Sequence, residues 1–339
     1  MNSNERFRSR LRGAPVDRPP NFNIMMTFAA HYIGQPLSRY YLDHRVLCEA
    51  NLAVQRHFKL DIVQAISDPY REAADLGANI IFPEDELPIC VTPLINDPVQ
   101  IKNLEAVPPS AGRRMSDRIE AIRRLKQLVG SEIPVMGWIE GALAEAAVLR
   151  GVNWLLQDLY DRPDWVLELL EFCAAIEIAF ARAQVEAGAD IIGLGDAVAS
   201  QISPVMYAKY ALPFEQKIFA AVHEVGALCR LHICGDTTNI LHSMPETGAD
   251  IIDIDWMVNM AQATRIFGAG PAVCGNFDPV AIMLRGTPTD VQDAVKACLR
   301  AGGNRCIIAA GCEIPDKTPS ENLAAQTEAL LKFKNPPEL

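Results

Sequence analysis

Short apolar runs alternate along this chain with longer stretches in which apolar residues recur every three or four positions. The runs cover 22–27, 61–66, 134–138, 191–194, 229–233, 251–254, 272–274 and 306–309, and they read as strands separated by amphipathic helices. Punctuation supports this: Gly188-Ala189-Asp190 and Gly248-Ala249-Asp250 each end a helical pattern on glycine and lead into an Ile-Ile strand. Such a cadence belongs to a parallel sheet. Eight runs and no Pro/Gly/Ser-rich linker predict an α/β fold, a single (β/α)8 TIM barrel over residues 1–339 with N-terminal helical decoration. A doubly wound open sheet is the alternative.

A barrel places its chemistry after the C-terminal ends of its strands. Those positions hold Glu140, Asp196, His232 with Cys234, Asp253 with Asp255, Asn276 with Asp278, and Cys312. His232 and Cys234 leave one strand two residues apart, so their side chains point the same way and can grip one soft metal ion. Cys312 completes a His-Cys-Cys set. Three protein ligands with a vacant fourth position suit a catalytic zinc better than a structural one. The other seven of the nine cysteines read as small apolar residues: Cys48, Cys173 and Cys298 in helical patterns, Cys229, Cys274 and Cys306 in or beside strands, and Cys90 in an irregular segment.

Composition narrows the class. Half the residues are apolar, ample for a sizeable core. Lys plus Arg at 31 against Asp plus Glu at 42 give a net charge of −11, which argues against nucleic acid or an anionic membrane surface as partner. No apolar run approaches the roughly 20 residues that span a bilayer. The basic cluster Arg6, Arg8, Arg10 and Arg12 has no apolar stretch behind it to make a signal peptide, and reads as the solvated side of a helix. Free thiols without a secretion signal point to a reducing, cytoplasmic setting.

Several candidates carry two readings. Glu140 is a reserve zinc ligand or proton carrier, or else caps a helix over 142–149. Asp196, in a Gly-x-Gly-Asp turn, either serves the site or only satisfies backbone amides. Asp236 reads as the N-cap of a helix starting near Thr237, or as support behind the ligands. His31, near Met25, Met26, Phe28 and Tyr32, belongs to the core or to an apolar lining for a ligand. Segments 36–41 and 84–93 look irregular enough for lid or substrate loops.

Larger motifs carry a family resemblance. Glu5-Arg6-Phe7, the run from Arg12 to Pro20, Asp196 to Pro204, Tyr210-Ala211-Leu212-Pro213-Phe214, His232-x-Cys234-Gly235, Gly275-Asn276, and Gly311-Cys312 with Thr318 to Asn322 resemble the uroporphyrinogen decarboxylase superfamily. Within it, a His-x-Cys followed 78 residues on by Cys312 is most similar to the zinc-dependent, corrinoid-linked methyltransferases such as methylcobalamin:coenzyme M methyltransferases. True decarboxylases carry N-terminal arginines that hold porphyrinogen carboxylates. Residues 22–37 contain no arginine, and Arg39 and Arg71 alone are thin provision.

The resemblance implies a zinc ion on His232, Cys234 and Cys312, with a thiol or other heteroatom as its fourth ligand. It also implies methyl exchange with methylcobalamin or a separate corrinoid protein, because the chain shows no corrinoid-binding segment of its own. It puts Asp196 at a site position, orienting His232 or touching substrate. Uroporphyrinogen decarboxylation is the alternative activity, and a non-catalytic metal-binding role on the same fold is a third reading.

Overall fold

The computed structural model of the chain describes residues 1–333. Among the described residues nine strands form: β1 (Val63–Gln64), β2 (Asn79–Ile81), β3 (Ile89–Thr92), β4 (Val135–Glu140), β5 (Ile191–Gly195), β6 (Leu228–His232), β7 (Ile251–Asp253), β8 (Ala272–Phe277) and β9 (Ile307–Ala310). Seven of them run parallel around one curled sheet in the order β1-β4-β5-β6-β7-β8-β9, with helices outside. Seven of the eight predicted runs coincide with strands of this sheet, with edges shifted by no more than three residues. The doubly wound alternative is excluded, since each crossover returns to the next strand along and the strand order never reverses.

The eighth wall of the barrel is not the predicted strand over 22–27. Only Asn21 bridges to Ile308 of β9, and the helix Thr27–Tyr32 starts where the run ends. Closure is made by single bonds instead. Phe22 N donates to Ile308 O at 2.8 Å, and Asp61 N donates to Asn21 O at 2.9 Å on the β1 side. Side chains replace missing ladder bonds, with Gln64 Nε2 donating to Asn23 O at 2.7 Å and Ala310 N donating to Asn23 Oδ1 at 2.9 Å. A buried segment whose backbone groups find side-chain partners has no need of regular pairing.

Alternation along the strands separates two apolar regions. Met136, Trp138, Ile191, Ile251, Ala272, Cys274, Ile307 and Ala309 fill the barrel, whereas Val135, Ile139, Ile192, Leu194, Leu231 and Ile252 pack outward against helices. Gly193 and Gly195 face inward on β5 because Trp138 occupies their side-chain space: a Cβ on Gly193 would lie 2.3 Å from the indole.

The N-terminal helix Ser3–Leu11 closes the bottom of the barrel. Its Phe7 is buried against Phe22, ring centroids 4.9 Å apart. This corrects the expectation that its arginines form a solvated face: Arg8 and Arg12 are exposed, but Arg6 and Arg10 are buried. Arg6 pairs with Asp17 and Asp61, and Arg10 donates to Cys306 O and Gly303 O. Asp61 is the fully buried hub, accepting also from Ser3 Oγ, Arg18 and Asn21 N. A carboxylate can be buried there because every lone pair is met.

Of the two segments expected to be irregular, the first is mostly helical and the second is irregular over 84–88 before a strand. Residues 36–41 lie mostly in the helix Leu37–Leu42, with Tyr40 and Tyr41 buried, and 84–93 contain β3, which pairs antiparallel with β2 in an exposed hairpin. The hairpin turn is tied down by Ser38 N donating to Glu84 O, by Leu37 N donating to Asp85 Oδ1, and by His31. His31 is therefore a bridge, not an apolar lining: Nε2 lies 2.6 Å from Asp85 Oδ1 and Nδ1 contacts Asp316. Among the described residues no helix is long and apolar enough to cross a membrane.

Asp61→Ala leaves Arg6 and Arg18 buried without their shared carboxylate, and is expected to cost about 3–5 kcal/mol, read as a lower urea midpoint with the slope unchanged. At His31 burial opposes the charged ring, but Asp85 and Asp316 outweigh it and raise its pKa above 6.5. The hairpin contact is therefore fully present below pH 6.5 and is lost as pH rises through the raised value. Amide exchange in 79–92 should accelerate from pH 6 to pH 9 beyond its intrinsic rate in wild type, and the excess should vanish in His31→Ala; equal protection factors at both pH values in wild type would refute the latch.

Candidate metal centre

Inward-facing positions of β6 read Leu228, Arg230 and His232 from the bottom of the barrel to its mouth. The chain then turns, and Gly235 takes φ +89°, a conformation that glycine adopts without strain. Asp255, buried beyond the end of β7, accepts from Gly235 N at 2.6 Å and from Trp256 N at 2.6 Å, which fixes the turn carrying Cys234. The Cys312 turn follows β9 and needs Gly311: a Cβ there would lie 2.5 Å from Trp256 N.

These turns bring three donor atoms together from two places in the chain. His232 Nε2 lies 3.0 Å from Cys234 Sγ and 3.8 Å from Cys312 Sγ, and the two sulfurs are 3.6 Å apart. Zinc with Zn–S near ~2.3 Å and Zn–N near ~2.0 Å requires donor separations of roughly 3.5–3.8 Å around a tetrahedron. Two of the three edges match as they stand, and the third is the hydrogen bond that a metal would replace. The donor set thus fits a soft divalent ion. Glu140 lies outside this group, which contains only His232, Cys234 and Cys312.

Asp253 orients the imidazole. Its Oδ2 is 3.0 Å from His232 Nδ1, leaving Nε2 to face the sulfurs. Burial alone would raise the Asp253 carboxyl, but Arg230 and His232 hold it down to about 2. Arg230 Nε lies 2.9 and 3.0 Å from the two Asp253 oxygens, and Nη2 reaches Phe22 O at 3.2 Å. At His232 burial disfavours charge, yet the Cys234 sulfur and Asp253 raise its pKa well above 6.5. The Cys312 thiol is lowered by hydrogen bonds from Cys234 and His232 against the effect of burial. Negative charge on these sulfurs is therefore tolerable only beside a cation, whether imidazolium or metal.

Glu140 and Asp196 part company. Glu140 ends β4 with its side chain at the mouth, 7% exposed, and Oε2 lies where a Cβ on Gly195, the register partner of His232, would approach to 3.3 Å. Oε1 is 2.7 Å from Arg71 Nη2. Burial and the neighbouring Glu72 charge push the Glu140 carboxyl up to about 7 despite that guanidinium. It does not cap the helix Ala142–Arg150, whose N-cap is Gly141.

Asp196 faces away from the metal group. Its carboxyl lies against Gly141 and the buried Glu215, and burial with the Glu215 charge raises it well above the usual range. What it contributes toward the site is its backbone N–H, donated to His232 O at 3.0 Å. The carboxylate that orients His232 is Asp253, not Asp196.

The remaining candidates have structural work. Asp236 is exposed and accepts from Thr238 N in a turn, because no helix follows it. Asn276 lies within β8 and clamps the loop after β7 by donating to Asp255 O and Val258 O. Asp278 caps Pro279–Leu284. Of the other cysteines, Cys48, Cys173, Cys229, Cys274, Cys298 and Cys306 are buried, and Cys90 lies in β3. Sequence reading missed Arg230 and Arg71 as partners of site residues. The one available signal was a charged residue in the middle of the apolar run 229–233.

A methylcobamide:CoM methyltransferase MtbA of Methanosarcina acetivorans is 33% identical over 337 residues, covering 97% of this chain and 98% of the relative. A uroporphyrinogen decarboxylase of Nostoc punctiforme is 29% identical over 330 residues, 92% of each. A solved methyltransferase from Methanosarcina mazei shares the fold with a TM-score of 0.88 over 97% of this chain and 98% of its own, at 23% identity. The uroporphyrinogen decarboxylase (URO-D) model matches residues 2–333, and the chain belongs to that family.

Proposed function

We propose that this protein is a zinc-dependent methyltransferase, one catalytic domain over residues 1–339, that moves a methyl group between a corrinoid and a thiol or other heteroatom substrate. The observation that carries the reading is the convergence of His232 Nε2, Cys234 Sγ and Cys312 Sγ within 3.0–3.8 Å at the barrel mouth. Similarity to proteins named methylcobamide:CoM methyltransferase supports the corrinoid as the other methyl carrier.

The three donors would hold the metal and leave its fourth position for substrate. Bound there, zinc supplies Lewis acidity that favours the thiolate form of a thiol near neutral pH. The sulfurs of Cys234 and Cys312 would keep such a site electron-rich. Asp253 holds the imidazole in the tautomer with Nδ1 protonated and Nε2 free to ligate. Glu140, its carboxyl pushed up to about 7 by burial, would take up or return the thiol proton. Asp196 acts as a positioning residue through its N–H to His232 O.

We infer that the carrier is a separate corrinoid protein or free methylcobalamin meeting the barrel mouth, in the cytoplasm. Decarboxylation of a porphyrinogen is disfavoured by where the cations are. Arg71 is buried and committed to Glu140, Glu72 and Asp68 O, and Arg39 pairs with Asp43 at the surface.

Purified protein should carry about one zinc per chain, lost in Cys312→Ala, and should exchange methyl groups between methylcobalamin and members of a thiol panel. Absence of zinc from wild type prepared without chelators would overturn the assignment and favour the decarboxylase. Asp253→Asn frees the ring of His232 and is expected to weaken zinc affinity about 10–100-fold, measured by competition with a chromogenic chelator. An unchanged affinity would show that the ring needs no anchor.

A further inference from the structure

Outside the barrel wall, behind Glu140, three glutamates converge from three helices. Glu72 comes from Arg71–Asp75, Glu145 from Ala142–Arg150 and Glu177 from Pro163–Glu186. All three are fully buried, and one oxygen from each lies within 4.8 Å of the others. Only Glu72 has a partner, Oε1 lying 3.3 Å from Arg71 Nη2. The remaining five oxygens, Glu72 Oε2 and both from Glu145 and Glu177, meet no donor.

Five unsatisfied carboxylate oxygens in a dry interior cannot stay uncompensated. Counting Glu140, four carboxylates surround the single guanidinium of Arg71, a deficit of three positive charges if all are ionised. Proton sharing would join these carboxyls by hydrogen bonds, and no such bond links Glu72, Glu145 and Glu177. Separations of this size are those of oxygens arranged around an ion.

We propose that Glu72, Glu145 and Glu177 form a binding site for a hard divalent cation of the Ca2+ or Mn2+ kind, distinct from the zinc group. Five oxygens from three carboxylates, two of them able to bind bidentate, supply most of the all-oxygen set such ions take. Soft or imidazole-seeking metals find no ligand of their preference among the three. The ion would pin three helices behind the barrel. It would also steady Glu72 against Arg71, and so Arg71 against Glu140 at the mouth. By contrast, His223, Cys229 and Asp250 also approach one another, but their polar atoms already bond to each other and to the backbone.

The test does not depend on the zinc reading. Cys312→Ala protein, its thiolate site crippled, is stripped with EGTA and titrated with Mn2+ under electron paramagnetic resonance. One bound Mn2+ per chain is expected, displaced by Ca2+ and absent when Glu145→Gln is added. Wild type should melt several degrees higher with millimolar Ca2+ or Mn2+ than in EGTA. Failure of the EGTA-stripped protein to bind either ion at millimolar concentration overturns the proposal, as does a melting midpoint indifferent to both. Should Glu145→Gln not fold, the titration of the Cys312→Ala chain and the wild-type melts decide alone.

Discussion

The ion pair between Arg230 and Asp253 is the constraint on which the centre of this protein depends. A guanidinium inside a TIM barrel costs several kcal/mol of desolvation, and one exposed carboxylate would not offset it. Here both Asp253 oxygens face the guanidinium, Phe22 O accepts a further bond, and the sulfurs of Met136 and Cys274 lie alongside. The pair stays charged because each partner is satisfied from several sides. Its upper edge then has one remaining duty, to hold His232 Nδ1. A buried charge that might look like a burden on the core thereby becomes the platform from which Nε2 is aimed.

Space around that platform is made by removing side chains. Gly193 and Gly195 yield to Trp138 and Glu140 on one side, and Gly311 yields to the Asp255-Trp256 backbone on the other. Such glycines cost conformational entropy on folding, so their presence marks places where close approach matters more than local stability. They let the turns after β6 and β9 come within a few ångströms although 78 residues separate their cysteines.

Acidic groups dominate the chain, and the structure spends many of them indoors. Asp61 gathers two arginines at the bottom of the barrel, Asp253 gathers one in its middle, and Glu140 shares Arg71 at the top. Each of these cations has at least one carboxylate, whereas Arg10, buried without one, is met by the carbonyls of Gly303 and Cys306. The Glu72, Glu145 and Glu177 group departs from this pairing, with one guanidinium for several acids. Opposite charges locked to rigid elements give a mouth whose polar groups are fixed in advance, as a site that must bind and orient substrate requires.

Sequence alone determined the cadence of strands and helices, the barrel, and the His-x-Cys with a distant Cys, because these follow from periodicity and from ligand chemistry that survive without coordinates. It also gave the right side of the barrel for Glu140. Tertiary structure decided the rest. Asp196 turned away to Glu215 because the direction of a side chain after a strand depends on what packs there, and 22–27 lost its strand because side chains of Asn23 and Gln64 took over the bonding. Arg6 and Arg10 read as solvated until Asp61 and two backbone carbonyls, remote in sequence, were seen to receive them. Pairings across tens or hundreds of residues leave no local trace, which is why the partners of His232 and Glu140 became visible only when the chain was folded.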